Sequence, residues 1–315
     1  MLSQSSAIPS STATSTCDAP LFDALFEPAT RQLQRTVHFL EKVNKTAVLG
    51  LAPQAVVVVQ SPSVASSAQS VPSWSQLSYA LLGLSRVHLA PSAVDGAAGA
   101  LVVELSVGLL LAVLRSIEQH AVGVLQILPA THRLVVLSRP AAIGLDASEM
   151  RAGQPGVVMH TLPLSRPLDL AHALQEPAVP LPAISFHLPH PGALRERLAA
   201  LSGSELHLFA TTAGTLQIEA DVSLLRVRLA WDSLRLVNSS PPSGPRRSAS
   251  IRVLRALLLK VLQYTMYLPM GVVSSAVCAI IPDHALVVSL ALSDHHLAST
   301  APSLMTFYIP PLSIG

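Results

Sequence analysis

Residues 28–45, PATRQLQRTVHFLEKVNK, alternate apolar and polar positions with the period of a helix, and Pro28 suits a first helical position. Leu33, Val37 and Leu40 fall on one side, while Arg31, Arg35, His38 and Lys42 recur along the other, so the spacing predicts a helix with one apolar and one cationic face. Two β-rich runs follow, 46–52 and 54–60, separated by Pro53 and spaced for a hairpin. Residues 61–72 read as a Ser/Pro/Ala-rich loop, and 74–84 and 100–105 as further half-buried strands. Ser106 then caps a second helix running to about His120, with Leu110, Val113, Leu114 and Ile117 inward and Arg115 pointing elsewhere. Strands at 121–128, 132–139 and 156–164 complete a helix–strands–helix–strands unit.

Residues 165–180, with prolines at 167, 177 and 180, read as a connector. The pattern then starts again. A strand at 183–189 leads to a helix at 191–201, where Leu194, Leu198 and Leu201 share one face and Arg195, Glu196 and Arg197 surround it. Three strands at hairpin spacing, a flexible loop at 241–248 and a strand at 250–254 follow. A fourth helix continues to about Tyr267, with Leu254, Leu258, Val261 and Leu262 inward and Arg255, Lys260 and Gln263 opposite; three strands close the chain. Two halves with the same order of elements form an internal repeat of pattern, with basic residues on the helix faces turned from the core.

Composition narrows the class. The chain has 315 residues, is 50% hydrophobic and only 12% charged, and carries a formal net charge of +2. The core is ample for two domains, and any affinity for nucleic acid must come from local arrangement of charge, which on a helix is a solvated face or a phosphate-facing one. Residues 1–19 are rich in Ser and Thr and poor in apolar residues, the composition of a disordered tail with neither a signal peptide nor a presequence pattern. Cys17 and Cys278 suit a reducing, intracellular setting better than a disulfide scaffold. A mean hydropathy of +0.50 and the uncharged run 261–282 raise the question of a membrane span, but Pro269, Ser274, Ser275 and Pro282 break that run into helix, turn and strand.

Several stretches carry a family resemblance. RTVHFLEKVNKTAVLGLAPQAVVVV (35–59), LQEPAVPLPAISFHLP (174–189) and MTFYIPPLS (305–313) are similar to the Hus-one subunit of the 9-1-1 checkpoint clamp, a relative of the proliferating cell nuclear antigen sliding clamps. The similarity extends over most of 26–313. It implies an α+β chain of two clamp domains, 26–164 and 181–315, joined by the connector 165–180, with antiparallel sheets outside and four helices on the inner face. Members of the family open almost at once with a strand, whereas this chain opens with its polar tail, so the first strand is missing, replaced by residues near 21–26, or lost to an incorrect first exon. The resemblance further implies a nuclear heterotrimer with the Rad-nine and Rad-one clamp subunits, placed by a clamp loader around duplex DNA without sequence preference. That ring serves the DNA damage checkpoint and repair as a platform for kinase signalling. Carried over to this chain, the DNA-facing residues are Arg31, Arg35, His38 and Lys42, then Arg115, Arg195 and Arg197, and finally Arg255 and Lys260. Residues 108–112, GLLLA, depart from the polar character of such a helix.

Motifs for catalysis are missing: the chain has no G-x-S-x-G, no phosphate-binding or dinucleotide glycine pattern and no H-E-x-x-H. His187 with His190, and His295 with His296, lack a third ligand at metal spacing, and the acids Glu196, Glu219, Asp221 and Asp232 are scattered. Arg246-Arg247-Ser248 reads as an exposed basic loop. The expectation is a non-catalytic protein without metal or cofactor. The other class the sequence leaves open is a β-rich interaction scaffold, or a membrane-associated protein, without DNA contact.

Overall fold

Four copies of one unit, strand–helix–three strands, make up the chain. The computed structural model describes residues 19–60, 71–94, 99–128, 132–140, 150–165, 174–222, 225–237, 248–268, 271–293 and 303–312. The first unit comprises β1 (Phe22–Phe26), α1 (Gln32–Val43), β2 (Thr46–Leu51), β3 (Ala55–Gln60) and β4 (Ser73–Ser78), with β5 (Leu84–Leu89) added before the second. The second comprises β6 (Leu101–Ser106), α2 (Val107–Ser116), β7 (Val122–Leu128), β8 (Arg133–Arg139) and β9 (Val158–Pro163). The third is β10 (Ile184–His187), α3 (Pro191–Ala199), β11 (Glu205–Thr211), β12 (Leu216–Val222) and β13 (Leu225–Trp231). The fourth is β14 (Ser248–Leu254), α4 (Arg255–Tyr267), β15 (Val273–Ile281), β16 (Ala285–Leu292) and β17 (Ser303–Ile309).

Units interlock in pairs by exchanging their first strands. β1 lies between β5 and β7 in a sheet ordered β5-β1-β7-β8-β9, and β6 pairs with β2 of the first unit. Likewise β10 pairs with β15, and β14 with β11 in a sheet ordered β13-β12-β11-β14. The remaining strands form one eight-stranded sheet, β10-β15-β16-β17-β4-β3-β2-β6, in which β17 joins β4 and so fuses the two halves. Ser303 sits at this seam, its hydroxyl accepting the Ser78 N–H at 2.9 Å and donating to Ser78 Oγ at 3.2 Å. Every described strand pairing is antiparallel. The helices pack as α2 on α1, α1 on α4 and α4 on α3, and one apolar core runs through both halves.

The structure differs from the sequence reading at several points. Pro28–Thr30 is a separate 3-10 turn, closed by Thr30 N–H on Glu27 O at 3.1 Å and Arg31 N–H on Pro28 O at 3.0 Å. Arg31 then takes φ of +56°, a left-handed conformation that redirects the chain, so the helix starts at Gln32. β1 begins at Phe22, which moves the start of the first domain ahead of residue 26 and supplies the opening strand from 22–26. The strand expected over 74–84 breaks at Ser78: Ser78 Oγ accepts Leu81 N–H at 3.2 Å, and Gly83 turns the chain at φ of +69°. Gln32 from α1 holds that turn, its amide donating to Ala80 O at 2.9 Å and Leu81 O at 3.2 Å, and β5 follows. The second helix stops at Ser116, short of His120; its expected cap is present, Ser106 Oγ accepting Leu109 N–H at 3.4 Å.

The uncharged run 261–282 is the second half of α4 followed by β15, with 269–270 outside the described residues, and among the described residues no helix is long and apolar enough to cross a membrane. Residues 1–18, the loop 61–70, most of the connector before Leu174, Arg246, Arg247, His295 and His296 also lie outside the described residues. Cys278 is buried in β15, where desolvation pushes its thiol up to about 12 and keeps it protonated.

Candidate nucleic-acid interface

The cations of α1 and α2 form one surface because the helices pack side by side. On α1, Leu33, Thr36, Val37, Phe39 and Leu40 are buried, leaving Arg35 and Lys42 exposed and His38 half-buried on the opposite side. Arg115 of α2 is exposed and lies close enough that its charge, with that of Lys42, bears on His38. Burial is the largest influence on that imidazole; together with the two cations it holds the ring below its ordinary pKa, against a weaker pull from Glu41. His38 is therefore neutral at pH 7 and contributes hydrogen-bonding capacity, not charge. Tyr267, at the end of α4, brings the second half to the same place, its ring centroid 6.4 Å from that of His38.

Glu41 tempers the patch. Lys45 bonds its carboxylate and Lys42 lies 3.2 Å from it; the Lys45 bond does most to hold the Glu41 carboxyl below its usual range, against the opposing effect of burial. Lys45, with its side chain 74% exposed, stands past the end of α1 and is a further cation beside those the sequence reading assigned.

Other candidates have local tasks. Arg31, just outside the helix, pairs with Glu118 beyond the end of α2, an acid that no sequence pattern connected to it. Arg255 opens α4 and donates to the carbonyls of Leu201, Leu198 (3.4 Å) and Ala199 (3.5 Å), so its guanidinium caps the end of α3. Arg197 lies 5.7 Å from the Trp231 ring centroid of β13, a cation–π contact that turns it toward a sheet edge. Arg195 and Lys260 are half-buried on α3 and α4. The structure thus brings together Arg35, His38, Lys42 and Arg115, and holds Arg31, Arg197 and Arg255 in contacts of their own. Leu109, on α2, is 49% exposed, the apolar departure anticipated at 108–112.

Neither histidine of the 187/190 pair is set for metal. His190 instead caps α3, its Nδ1 accepting Ala193 N–H at 3.5 Å, and among the described residues no group of three His, Cys, Asp or Glu could hold an ion.

All three sheets end in edge strands among the described residues, and two of these edges expose large apolar side chains: β9, at one edge of the five-stranded sheet, exposes Val158 (39%) and Met159 (50%), and β13, at one edge of the four-stranded sheet, exposes Leu225 (71%). On β13, Arg226 pairs with Asp221 at 2.9 Å and Arg228 with Glu219 at 2.7 Å, both across the strand to β12. Such edges carry unpaired N–H and C=O groups that match another strand.

Among the described residues, four α-helices packed on three antiparallel sheets make the sliding-clamp fold. Proliferating cellular nuclear antigen of Entamoeba histolytica superposes with a TM-score of 0.61 at 9% identity, covering 93% of this chain and 100% of that one. The same antigen from Thermococcus kodakaraensis gives 0.58 at 15% identity, covering 92% and 100%. No curated protein sequence matches the chain. The family model of Hus1-like protein matches residues 22–313, from the first residue of β1 to beyond β17, and the chain belongs to that family.

Proposed function

We propose that this chain is a non-catalytic subunit of a heterotrimeric checkpoint clamp that encircles duplex DNA without reading its sequence. The observation that carries the reading is the open edge strand in each of two sheets, β9 and β13, each bearing exposed apolar side chains where a neighbouring subunit's strand would pair. On this reading those neighbours are the Rad-nine and Rad-one clamp subunits, with a clamp loader to place the ring, and membership of the Hus1-like family supports it. The patch of Arg35, Lys42 and Arg115 is turned to phosphate, a contact that positions a protein on DNA without specifying bases. The assembled ring acts in the nucleus as a platform for checkpoint kinase signalling and repair. Co-expression of the three chains with native mass measurement tests the assembly: the parent gives a 1:1:1 complex, and Leu225→Asp, which places a charge on an exposed edge, abolishes or weakens it while leaving this chain folded. A Leu225→Asp chain that still enters a full-strength complex overturns β13 as a subunit edge, and the absence of any three-chain species with the parent favours the interaction scaffold without DNA.

A further inference from the structure

The connector segment 175–183 is held at both ends and bare in between. At its start, the Leu174 carbonyl accepts the Trp74 indole N–H at 3.0 Å, and the Leu174 side chain fills the space over Gly50, where a Cβ would lie 2.3 Å from Leu174 Cδ1. Glu176 Oε1 accepts the Tyr308 hydroxyl at 2.7 Å. At its end, Ala183 N–H donates to Ile280 O at 3.0 Å as the chain enters β10. Between these anchors residues 177–182, PAVPLP, are all exposed, and among the described residues no hydrogen bond ties them to the body. Leu181 is 93% exposed and Val179 36%.

This segment is stiff despite its exposure. Proline fixes φ at Pro177, Pro180 and Pro182, and the residue before each proline is driven out of the helical region, which constrains Glu176, Val179 and Leu181 as well. Of the six residues 177–182 only Ala178 is locally free. The shared conformation these restraints favour is the polyproline II helix, three residues per turn and about 19 Å long for six residues at ~3.1 Å each. Its threefold repeat puts Pro177 and Pro180 on one edge, Val179 and Pro182 on the next, and Ala178 and Leu181 on the third. An isolated exposed leucine is ordinary on a protein surface. Here, however, three apolar edges stand on a rod anchored at both ends, so little ordering entropy is left to lose on binding.

We propose that residues 177–182 are a displayed ligand for a partner protein whose aromatic-lined groove binds polyproline II segments. Pro177/Pro180 and Val179/Pro182 form the adjacent edges that such a groove takes in the polyproline II conformation the prolines favour, and the anchors at both ends hold the segment out in the open. The inference is independent of ring assembly and of DNA.

The test uses the full-length chain against a panel of purified SH3, WW and EVH1 domains, with binding measured by titration. Leu181→Ser with Val179→Ser removes two apolar edges at exposed positions, and Pro180→Ala with Pro182→Ala releases the backbone; thermal unfolding of each variant is compared with the parent. At least one domain of the panel binds the parent saturably, and each double variant loses about tenfold or more in affinity with an unchanged melting temperature. Trp74→Phe, which leaves the motif intact and removes the indole donor to Leu174, weakens binding of the same domain to a smaller extent. A panel in which no domain binds, or one whose binders hold the double variants as tightly as the parent, overturns the proposal.

Discussion

Arg35 and Lys42 carry their charge toward solvent, whereas Arg255, the first residue of its own helix, spends its charge on the carbonyls of another. Replacing Arg35 and Lys42 by Glu should change stability by only about 0.5 kcal/mol, as exposed substitutions do, yet reverse the patch and shorten retention on DNA at low salt. Arg31→Glu adds to this but faces Glu118, so it loses a partner as well as a charge. Arg255→Ala behaves differently: loss of charge-assisted bonds to α3 should cost about 1.5–3 kcal/mol, read by thermal unfolding, with Arg255→Lys intermediate. Asp23 of β1 gives a pH test. Burial lifts its carboxyl above the ordinary range, against a bond from Gln126 and the charge of His88, and Oδ1 has no bonding partner among the described residues. A raised pKa means that the folded state binds the proton more tightly, so this stabilisation is present below about pH 4 and lost as pH rises through the folded value. Asp23→Asn should therefore raise the melting temperature at pH 7, with the gain shrinking toward pH 3.5; a gain independent of pH would show that ionisation is not its cause. The stripe of α1 was legible from its spacing because helix geometry alone fixes which side chains share a face. The tasks of Arg31, Arg197 and Arg255 were not, since Glu118, Trp231 and the carbonyls at the end of α3 are brought to them only by packing.

At the scale of elements, the helices and hairpins follow from periodicity, and the misread stretches are those where a local signal yields to a distant one. Residues 74–84 are apolar enough for a single strand, yet Tyr79, Leu81 and Leu82 are buried in a turn that Gln32 secures from α1. The 28–31 stretch has helical composition and still forms a 3-10 turn, because Arg31 is held left-handed. Gly123 marks another long-range constraint: the Phe26 ring lies over it across β1 and β7, and an added Cβ would stand 2.3 Å from Phe26 Cζ. Gly123→Ala should cost about 1–3 kcal/mol by overpacking, measured by denaturant unfolding. Leu33→Ala or Leu40→Ala on the buried face of α1 should cost roughly 2–5 kcal/mol and impair the fold before any contact with DNA is affected.

At the scale of the whole molecule, the order of helices and strands is repeated in the sequence, but the exchange of first strands between units is not. Nothing in the alternation of β1 distinguishes β7 from β2 as a partner, since both offer matching apolar faces; the pairing is decided by closure of the whole shell. That β9 and β13 stand at sheet edges likewise becomes visible only once the strands between them and the rest of the shell are paired. Their difference in sequence predicts that the isolated chain forms no stable homotrimer at low micromolar concentration, checked by size-exclusion chromatography with light scattering.

The central claim is that this chain closes, with its two partners, a ring around DNA, and topological retention tests it most directly. The reconstituted three-subunit complex is loaded by its clamp loader onto nicked circular plasmid, washed at high salt, and then challenged by cutting the plasmid at one site. Charge contacts with phosphate weaken steeply with salt, whereas a closed ring stays linked to a closed circle. The account predicts that the complex remains on the circle through the wash and leaves once the DNA is linear. Loss from the circle in the same wash, or equal retention on circular and linear DNA, would contradict it.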